Sequence, residues 1–321
     1  VKITSVGTSP LMTRGLLPGF RRLGHETSSF PHQSWNAISD DQGLELLEKY
    51  IVDAKSDYVI FAGYAPKYFR NLRDLCTKNG VGFIYWAIED PVCFRHTLFL
   101  AQEADYVFTT AIESISEYKK LGIDAHLLTF ACNRDYHKTG VFDSSFAVDL
   151  VLPASCYRFK SRQRGYQTIL EAAKKVKEGG ASLQVWGAGW ESEFGQNILQ
   201  DSSLYCGYFP NSRLPELCAS AKIILGVQCD DSSLTQTSMR PYEILGCRGF
   251  HLTQWTKATE SIFEDGKHLV TARSMDEALE KMVYYLDHPE ERNKIARQGQ
   301  DYVYKYHTYE RRISEAVLPY L

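Results

Sequence analysis

The order in which short apolar runs and helical faces alternate constrains this chain more than any single motif. Ile3 to Val6 reads as a strand, and Leu16, Leu17, Phe20 and Leu23 mark a helix face closed by Gly24 and His25. Thr27 to Phe30 starts the next strand. Leu44, Leu47, Tyr50 and Ile51 then repeat the helical spacing ahead of the strand Tyr58 to Phe61. The cycle recurs with Phe69 to Leu75, Phe83 to Ala87, Tyr106 to Thr109 and Ile112 to Tyr118. It breaks off in the polar stretch Tyr136 to Phe146, which places a domain boundary after residue 143. A second series follows, with strands at Val148 to Leu152, Leu183 to Trp186, Ile223 to Val227 and Phe250 to Thr253. Helical spacing at Ile169 to Val176, Leu214 to Ala219 and Tyr242 to Leu245 separates these strands. From Asp276 to Leu286, and from Glu290 to the end, the chain reads as helix. Strand–helix alternation of this kind predicts parallel βαβ units, so the expected fold is α/β with two successive Rossmann-like, doubly wound domains.

Length agrees, since 321 residues exceed what one hydrophobic core ordinarily serves. The net charge of −3 gives no overall field toward nucleic acid or an anionic membrane, and neither is expected as a partner. None of the eight cysteines forms a C-x-x-C pair, which suits free thiols in a reducing cytoplasm and argues against a zinc knuckle. No apolar stretch approaches the ~20 residues that span a bilayer. The expected location is cytoplasmic.

Ligands of open α/β sheets bind at the carboxyl ends of the strands. The loop after the first strand of the second domain carries Arg158, Lys160, Arg162 and Arg164 on alternate positions. It is either a phosphate site or a solvated charged loop. Gly187 and Gly189, with Trp190, open like a dinucleotide fingerprint, but Ser192 holds the third glycine position. These glycines allow close backbone approach to a ligand or simply make a turn. Thr237 or Ser238 is a candidate N-cap for a helix with Pro241 in its first turn. Such a helix start could hold a diphosphate. Glu243, one turn in, can accept hydrogen bonds from a vicinal diol such as ribose, or pair with Arg240, or both.

In the first domain Glu89 and Asp90 end a strand, where one could act as a general base or cap the helix carrying Phe94 and Leu98. His96 is a second candidate base or a structural histidine. The loop from Gly7 to Thr13 follows the first strand. Asp230 and Asp231 resemble a metal-binding DxD pair only superficially, and no metal is expected.

The run Arg240-x-x-Glu243-x-x-x-x-x-Gly249-Phe250, then Phe263-x-x-Gly266, then Tyr306-His307-Thr308-Tyr309 with Arg311 and Arg312, resembles the carboxyl-terminal domain of GT-B glycosyltransferases. It is similar, more narrowly, to the spore maturation protein CgeB and its glycosyltransferase-like relatives. Trp186 to Trp190, Tyr205 to Tyr208, Trp86 to Pro91 and Ala104 to Phe108 fit in order, so the resemblance covers the chain.

The resemblance implies the GT-B architecture, with two Rossmann-like domains facing across a cleft. It implies an acceptor domain at 1–143, a nucleotide-sugar donor domain at 144–300, and terminal helices at 301–321 crossing back to the first. Glu243 matches the second glutamate of the family's E-x(7)-E motif, which holds the donor ribose, while Thr235 stands at the first. Arg158, Lys160 and Arg164 fall near the cations that steady the diphosphate. The nucleobase is expected against Gly187 to Trp190 and against Cys206 to Phe209, which include Tyr208 and Phe209. Gly7 would face the donor phosphates. The implied activity is metal-independent transfer of a sugar from a nucleotide sugar, a UDP-sugar, to an acceptor hydroxyl. The acceptor would be a glycan, protein or small molecule, the anomeric configuration is retained, and a spore-surface or cell-surface glycan is a candidate product. No cofactor is implied beyond the donor. Thr235 keeps open a non-catalytic carbohydrate-binding or coat-assembly relative. A nicotinamide-dependent oxidoreductase is disfavoured by the incomplete G-x-G-x-x-G.

Overall fold

In the computed structural model of the protein, residues 1–31, 40–63 and 69–321 are described. They divide into two compact units, Val1–Asn133 with Thr308–Leu321, and Arg134–His307.

The first unit is built on six parallel strands, β1 (Lys2–Val6), β2 (Glu26–Phe30), β3 (Tyr58–Ala62), β4 (Gly82–Ala87), β5 (Tyr106–Thr109) and β6 (Ala125–Leu127). Their order across the sheet is β2-β1-β3-β4-β5-β6. The centre of the sheet is apolar throughout, with Phe83 to Ala87 fully buried, as buried parallel strands require. Helix Asp40–Ala54 lays Leu47 and Ile51 on it, and helix Phe69–Lys78 adds Leu72, Leu75 and Cys76.

The second unit repeats the plan with β7 (Leu150–Pro153), β8 (Leu183–Trp186), β9 (Ile223–Gly226), β10 (His251–Gln254) and β11 (Val270–Ala272). Their order is β11-β10-β9-β7-β8, again parallel. Leu150, Leu152, Val185, Ile223, Leu225 and Leu252 form the heart of its core. In each sheet the winding reverses beside the first strand, between β1 and β3 and between β7 and β9. Those reversals are where the fold opens a crevice for ligand. The edge strands β6 and β11 were not anticipated, because three residues carry neither an alternation nor an apolar run.

Two boundaries differ from the pattern-based expectation. The polar stretch expected to hold the boundary, after residue 143, already belongs to the second unit, which begins at Arg134. Gly140 lies directly on the Pro215–Glu216 backbone, and Asp143 pairs with Arg213 while its N–H reaches Ser220 Oγ at 2.8 Å. At the far end the helix does not run unbroken from Glu290. Helix Pro289–Tyr306 stops, and the Thr308 hydroxyl caps a new helix, Tyr309–Ala316, by accepting the Arg311 N–H at 3.4 Å. This last helix belongs to the first unit, where the Tyr309 N–H donates to the Cys132 carbonyl at 3.0 Å and Arg22 pairs with Glu310 at 3.3 Å. Thr308–Leu321 thus groups with the first unit, while 301–307 stay with the second. Among the described residues, no helix is long and apolar enough to cross a membrane.

A methyl group at Gly140 would collide with the Pro215 carbonyl, backbone that cannot swing aside. Gly140→Ala is therefore expected to cost ~1–3 kcal/mol, read as a lowered urea midpoint. Val141→Ala next to it, at a position 77 % exposed, is the control and should stay within about 0.5 kcal/mol of wild type.

Candidate functional site

In the second unit the reversal between β7 and β9 leaves strand-end carbonyls that the sheet itself does not satisfy. Two arginines satisfy them. Arg162, buried, donates through Nη1 to the Val227 carbonyl after β9 and through Nη2 to the Ser155 carbonyl after β7 at 3.0 Å. Arg240 donates through Nε to the Pro153 carbonyl at 3.0 Å and through Nη1 to Asn211 Oδ1 and to Glu243 Oε2, the latter at 2.6 Å.

Glu243 is thereby locked into a polar cluster and is only 3 % exposed. Its Oε1 lies 3.4 Å from Asn211 Nδ2 and 3.4 Å from His137 Nε2, an ion-pair separation rather than a short hydrogen bond. Burial alone would raise this carboxyl, but the Arg240 guanidinium, then His137 and Asn211, outweigh it and hold the pKa at about 2. The pairing with Arg240 anticipated from sequence is present. A carboxylate offers roughly four lone-pair sites; three are engaged here, which leaves one on Oε2.

The helix carrying Glu243 starts later than expected. Its N-cap is Met239, with Pro241 in the first turn, and neither Thr237 nor Ser238 caps it. The Ser238 N–H is taken by Gln228 Oε1 at 2.7 Å, and Thr237 is buried. The loops around this helix therefore belong to a hydrogen-bonded floor built on Gln228.

Gly187 and Gly189 have left-handed φ of 134° and 87°. Added Cβ atoms would sit 2.6 Å from the Ala154 carbonyl oxygen and 2.8 Å from that of Cys156. They let the loop after β8 lie flat against the loop after β7, joined by the Cys156 N–H to Ala188 carbonyl bond of 2.8 Å. Trp190 is fully buried and donates to the Ala154 carbonyl at 2.6 Å, so it braces that junction and offers no ring to a base. Phe209, also expected at the base, is buried against Phe146 and Trp186. Tyr208, 67 % exposed, is the aromatic of that loop left open to a ligand.

Of the cations in the basic loop, Arg158 and Lys160 are exposed, with Arg158 over the Phe194 ring at 4.9 Å. Arg164 instead forms a two-armed pair with Asp231, Nε to Oδ2 at 2.6 Å and Nη2 to Oδ1 at 2.7 Å. Asp230 turns back to the Ser232 and Ser233 N–H groups at 2.8 and 2.6 Å. The apparent DxD pair is thus spent on loop structure. Among the described residues, no group of three His, Cys, Asp or Glu side chains is placed to hold a metal. Arg162, expected as one of four loop cations, is instead buried, and His137 and Asn211 carry no signal in the sequence. The latter two are brought to Glu243 only by folding.

In the first unit Gly7 ends β1 with φ 111°, its N–H donating to the Phe30 carbonyl at 2.9 Å. The two neighbouring carboxylates part company. Asp90 is wholly buried and accepts from Thr97, from Thr109 Oγ1 at 2.7 Å and from Tyr118 OH at 2.9 Å, which leaves no face for a substrate. Glu89 lies beside Gly63, where an added Cβ would stand 3.2 Å from Oε1. Burial, reinforced by the charge of Asp90 and opposed by its own backbone N–H, raises the Glu89 pKa to about 7. Neither side chain caps the following helix, Phe94–Ala101, whose N-cap is Cys93. His96 is on that helix's exposed face.

Against known proteins, the family model described as Glycosyl transferase-like matches residues 162–317, just under half of the chain. A search of curated protein sequences finds no match. Solved structures give full-length likenesses. HepE from Anabaena, in complex with UDP-glucose, aligns over 100 % of both chains at 11 % identity and TM-score 0.67. Sucrose-phosphate synthase from Thermosynechococcus elongatus aligns over 98 % of this chain and 96 % of its own, at 10 % identity and TM-score 0.65. An alpha-glucosyltransferase in complex with UDP and a 13-mer DNA containing a HMU base covers 98 % and 97 %, at 12 % identity and TM-score 0.66. These likenesses establish the fold class, two parallel Rossmann-like domains of the GT-B architecture. With the glycosyl transferase-like match over 162–317, the expected enzyme class, a glycosyltransferase, is borne out.

A raised carboxyl pKa makes the native state bind protons that the unfolded chain has already released. Glu89 therefore contributes stability below its ordinary value of 4.5 that is lost as pH rises through about 7. Glu89→Gln should leave the melting temperature at pH 4 unchanged and raise it at pH 8, as followed by calorimetry.

Proposed function

We propose that the protein transfers a sugar from a nucleoside diphosphate sugar, a UDP-sugar, to an acceptor hydroxyl. The observation that carries this is the buried Arg240–Glu243 pair, set at the carboxyl end of β7 within the glycosyl transferase-like segment. A carboxylate kept ionised at about 2 remains a hydrogen-bond acceptor at any working pH, which suits a ribose diol. The diol would replace the long Asn211 contact and use the remaining lone pair on Oε2. The UDP and UDP-glucose bound by structural neighbours of the same fold support uridine as the base.

On the donor side Arg158 and Lys160 would meet the diphosphate and Tyr208 the base. Cationic side chains can offset the charge of the departing diphosphate, so we propose a metal-independent transfer with no cofactor beyond the donor. In the first unit Glu89 would take the acceptor proton as the acceptor oxygen bonds to the anomeric carbon on the same face from which the diphosphate departs, the course that retention requires. A group with a pKa near 7 is well matched to that task. Retention of anomeric configuration, kinship with CgeB-like proteins, a spore-surface or cell-surface acceptor and a cytoplasmic location belong to the same proposal. The rival is a non-catalytic relative that binds carbohydrate.

Two measurements separate these readings. Thermal melts with UDP, GDP, ADP, CMP, NAD and UDP-glucose should show stabilisation by the uridine ligands, about 2.7 kcal/mol at a hundredfold excess over Kd, and Glu243→Ala should abolish it. No shift with any nucleotide, in a protein that melts cooperatively, returns the chain to the non-catalytic reading. UDP release from UDP-glucose should rise with pH through about 7. Glu89→Gln should lower it roughly 10²–10⁴-fold and flatten that profile.

A further inference from the structure

The ten residues through which the chain enters the second unit carry a group that the reading above leaves without a task. His137 is 3 % exposed, and its Nε2 stands 3.4 Å from Glu243 Oε1. An ionised carboxylate only accepts, so the approach is favourable only with a proton on Nε2. The backbone around His137 is pinned by contacts that owe nothing to Glu243. Tyr304 OH donates to the His137 carbonyl at 2.8 Å, Gln300 Nε2 to Thr139 Oγ1 at 3.2 Å, and Gly140 is seated on the Pro215–Glu216 backbone. The imidazole is therefore presented to the carboxylate rather than drawn in by it.

Glu243 is then held from two directions, with Arg240 on Oε2 and His137 with Asn211 on Oε1. Arg240 alone would not fix the plane of the carboxylate, because one contact at Oε2 leaves rotation about the last side-chain bond open. Donors on Oε1 close it, and His137 is the one that stays there when the diol replaces the Asn211 contact.

We propose that His137 is a positioning residue that sets the plane of the Glu243 carboxylate so that the remaining lone pair of Oε2 meets the 2′-hydroxyl of a nucleotide ribose. The inference rests on the donor reading of Glu243 and adds the group that orients it. His137 itself touches no substrate.

The test compares Kd for UDP and for 2′-deoxy-UDP, by titration calorimetry on the full chain, in wild type, His137→Ala, His137→Gln, His137→Asn, Glu243→Ala and the double alanine variant. Wild type should prefer UDP by about tenfold or more, as a hydrogen bond to a charged group implies. His137→Ala should cut the preference to about twofold or less while leaving 2′-deoxy-UDP binding unchanged. The glutamine amide can stand where Nε2 does and should restore most of the preference. The asparagine amide stands nearer the position of Nδ1 and should not, which keeps the test open if the alanine variant fails to fold. In the Glu243→Ala background His137→Ala should change nothing further. A full preference in His137→Ala or His137→Asn, alongside its loss in Glu243→Ala, overturns the proposal and leaves the donor reading standing. A preference that survives Glu243→Ala overturns the donor reading, and the proposal falls with it.

Discussion

A parallel sheet ends in carbonyls that no neighbouring strand can satisfy, and the second unit of this protein is organised by the guanidinium groups that meet them. Arg162 binds the carbonyls of Val227 and Ser155, and Arg240 binds that of Pro153. An unpaired buried carbonyl costs about as much as a lost hydrogen bond, so these arginines are held in place by the backbone itself. Once Arg240 is fixed, its Nη1 selects the positions of Asn211 and Glu243, and the buried carboxylate is tolerable because the guanidinium is already there. The floor of the crevice is thus assembled outward from the strand ends.

This ordering explains why the fold could be read from the sequence more fully than the site. Long strands with apolar runs, such as Phe83 to Ala87, announce themselves because burial on both faces leaves no polar position. The edge strands β6 and β11 do not, because their three residues take their conformation from a neighbour rather than from their own pattern. The stretch Tyr136 to Phe146 reads as a domain boundary because it is polar. Its polar groups are in fact the means by which it is fastened to the second unit, through Asp143, Thr139 and the His137 carbonyl. Polarity reports that a segment lacks an apolar core face, and says nothing about whether its hydrogen bonds go to water or to protein.

The basic loop shows the same limit at the level of single residues. Arg158, Lys160, Arg162 and Arg164 look equivalent as a run of alternate cations, yet folding gives them different tasks. Arg162 was separable in principle. It shares a helix face with Gly165, Tyr166 and Ile169, at i+3, i+4 and i+7, and all three are buried. An arginine on an apolar face must find acceptors inside. Arg164 was not separable, since nothing local indicates that Asp231 will close on it from the loop after β9. His137 and Asn211 were less visible still. Each comes to Glu243 from a distant part of the chain, and neither spacing nor composition marks it.

The pair Glu89 and Asp90 shows how burial sets two like groups apart, with a smaller contribution from the charge of one to the other. Adjacent carboxylates at the end of a strand would both be ionised in water and of little use as bases near neutrality. Asp90 is taken inside and receives three hydroxyl donors, which fasten β4 to β5 and to the two following helices. Its charge then stands one residue from Glu89, in surroundings too dry to screen it, and adds to the desolvation that Glu89 already suffers. Divergent environments give two like groups separate tasks, and the task of one depends on the other remaining buried. Asp90 thus bears on Glu89 only through its charge, a smaller influence than the burial of Glu89 itself.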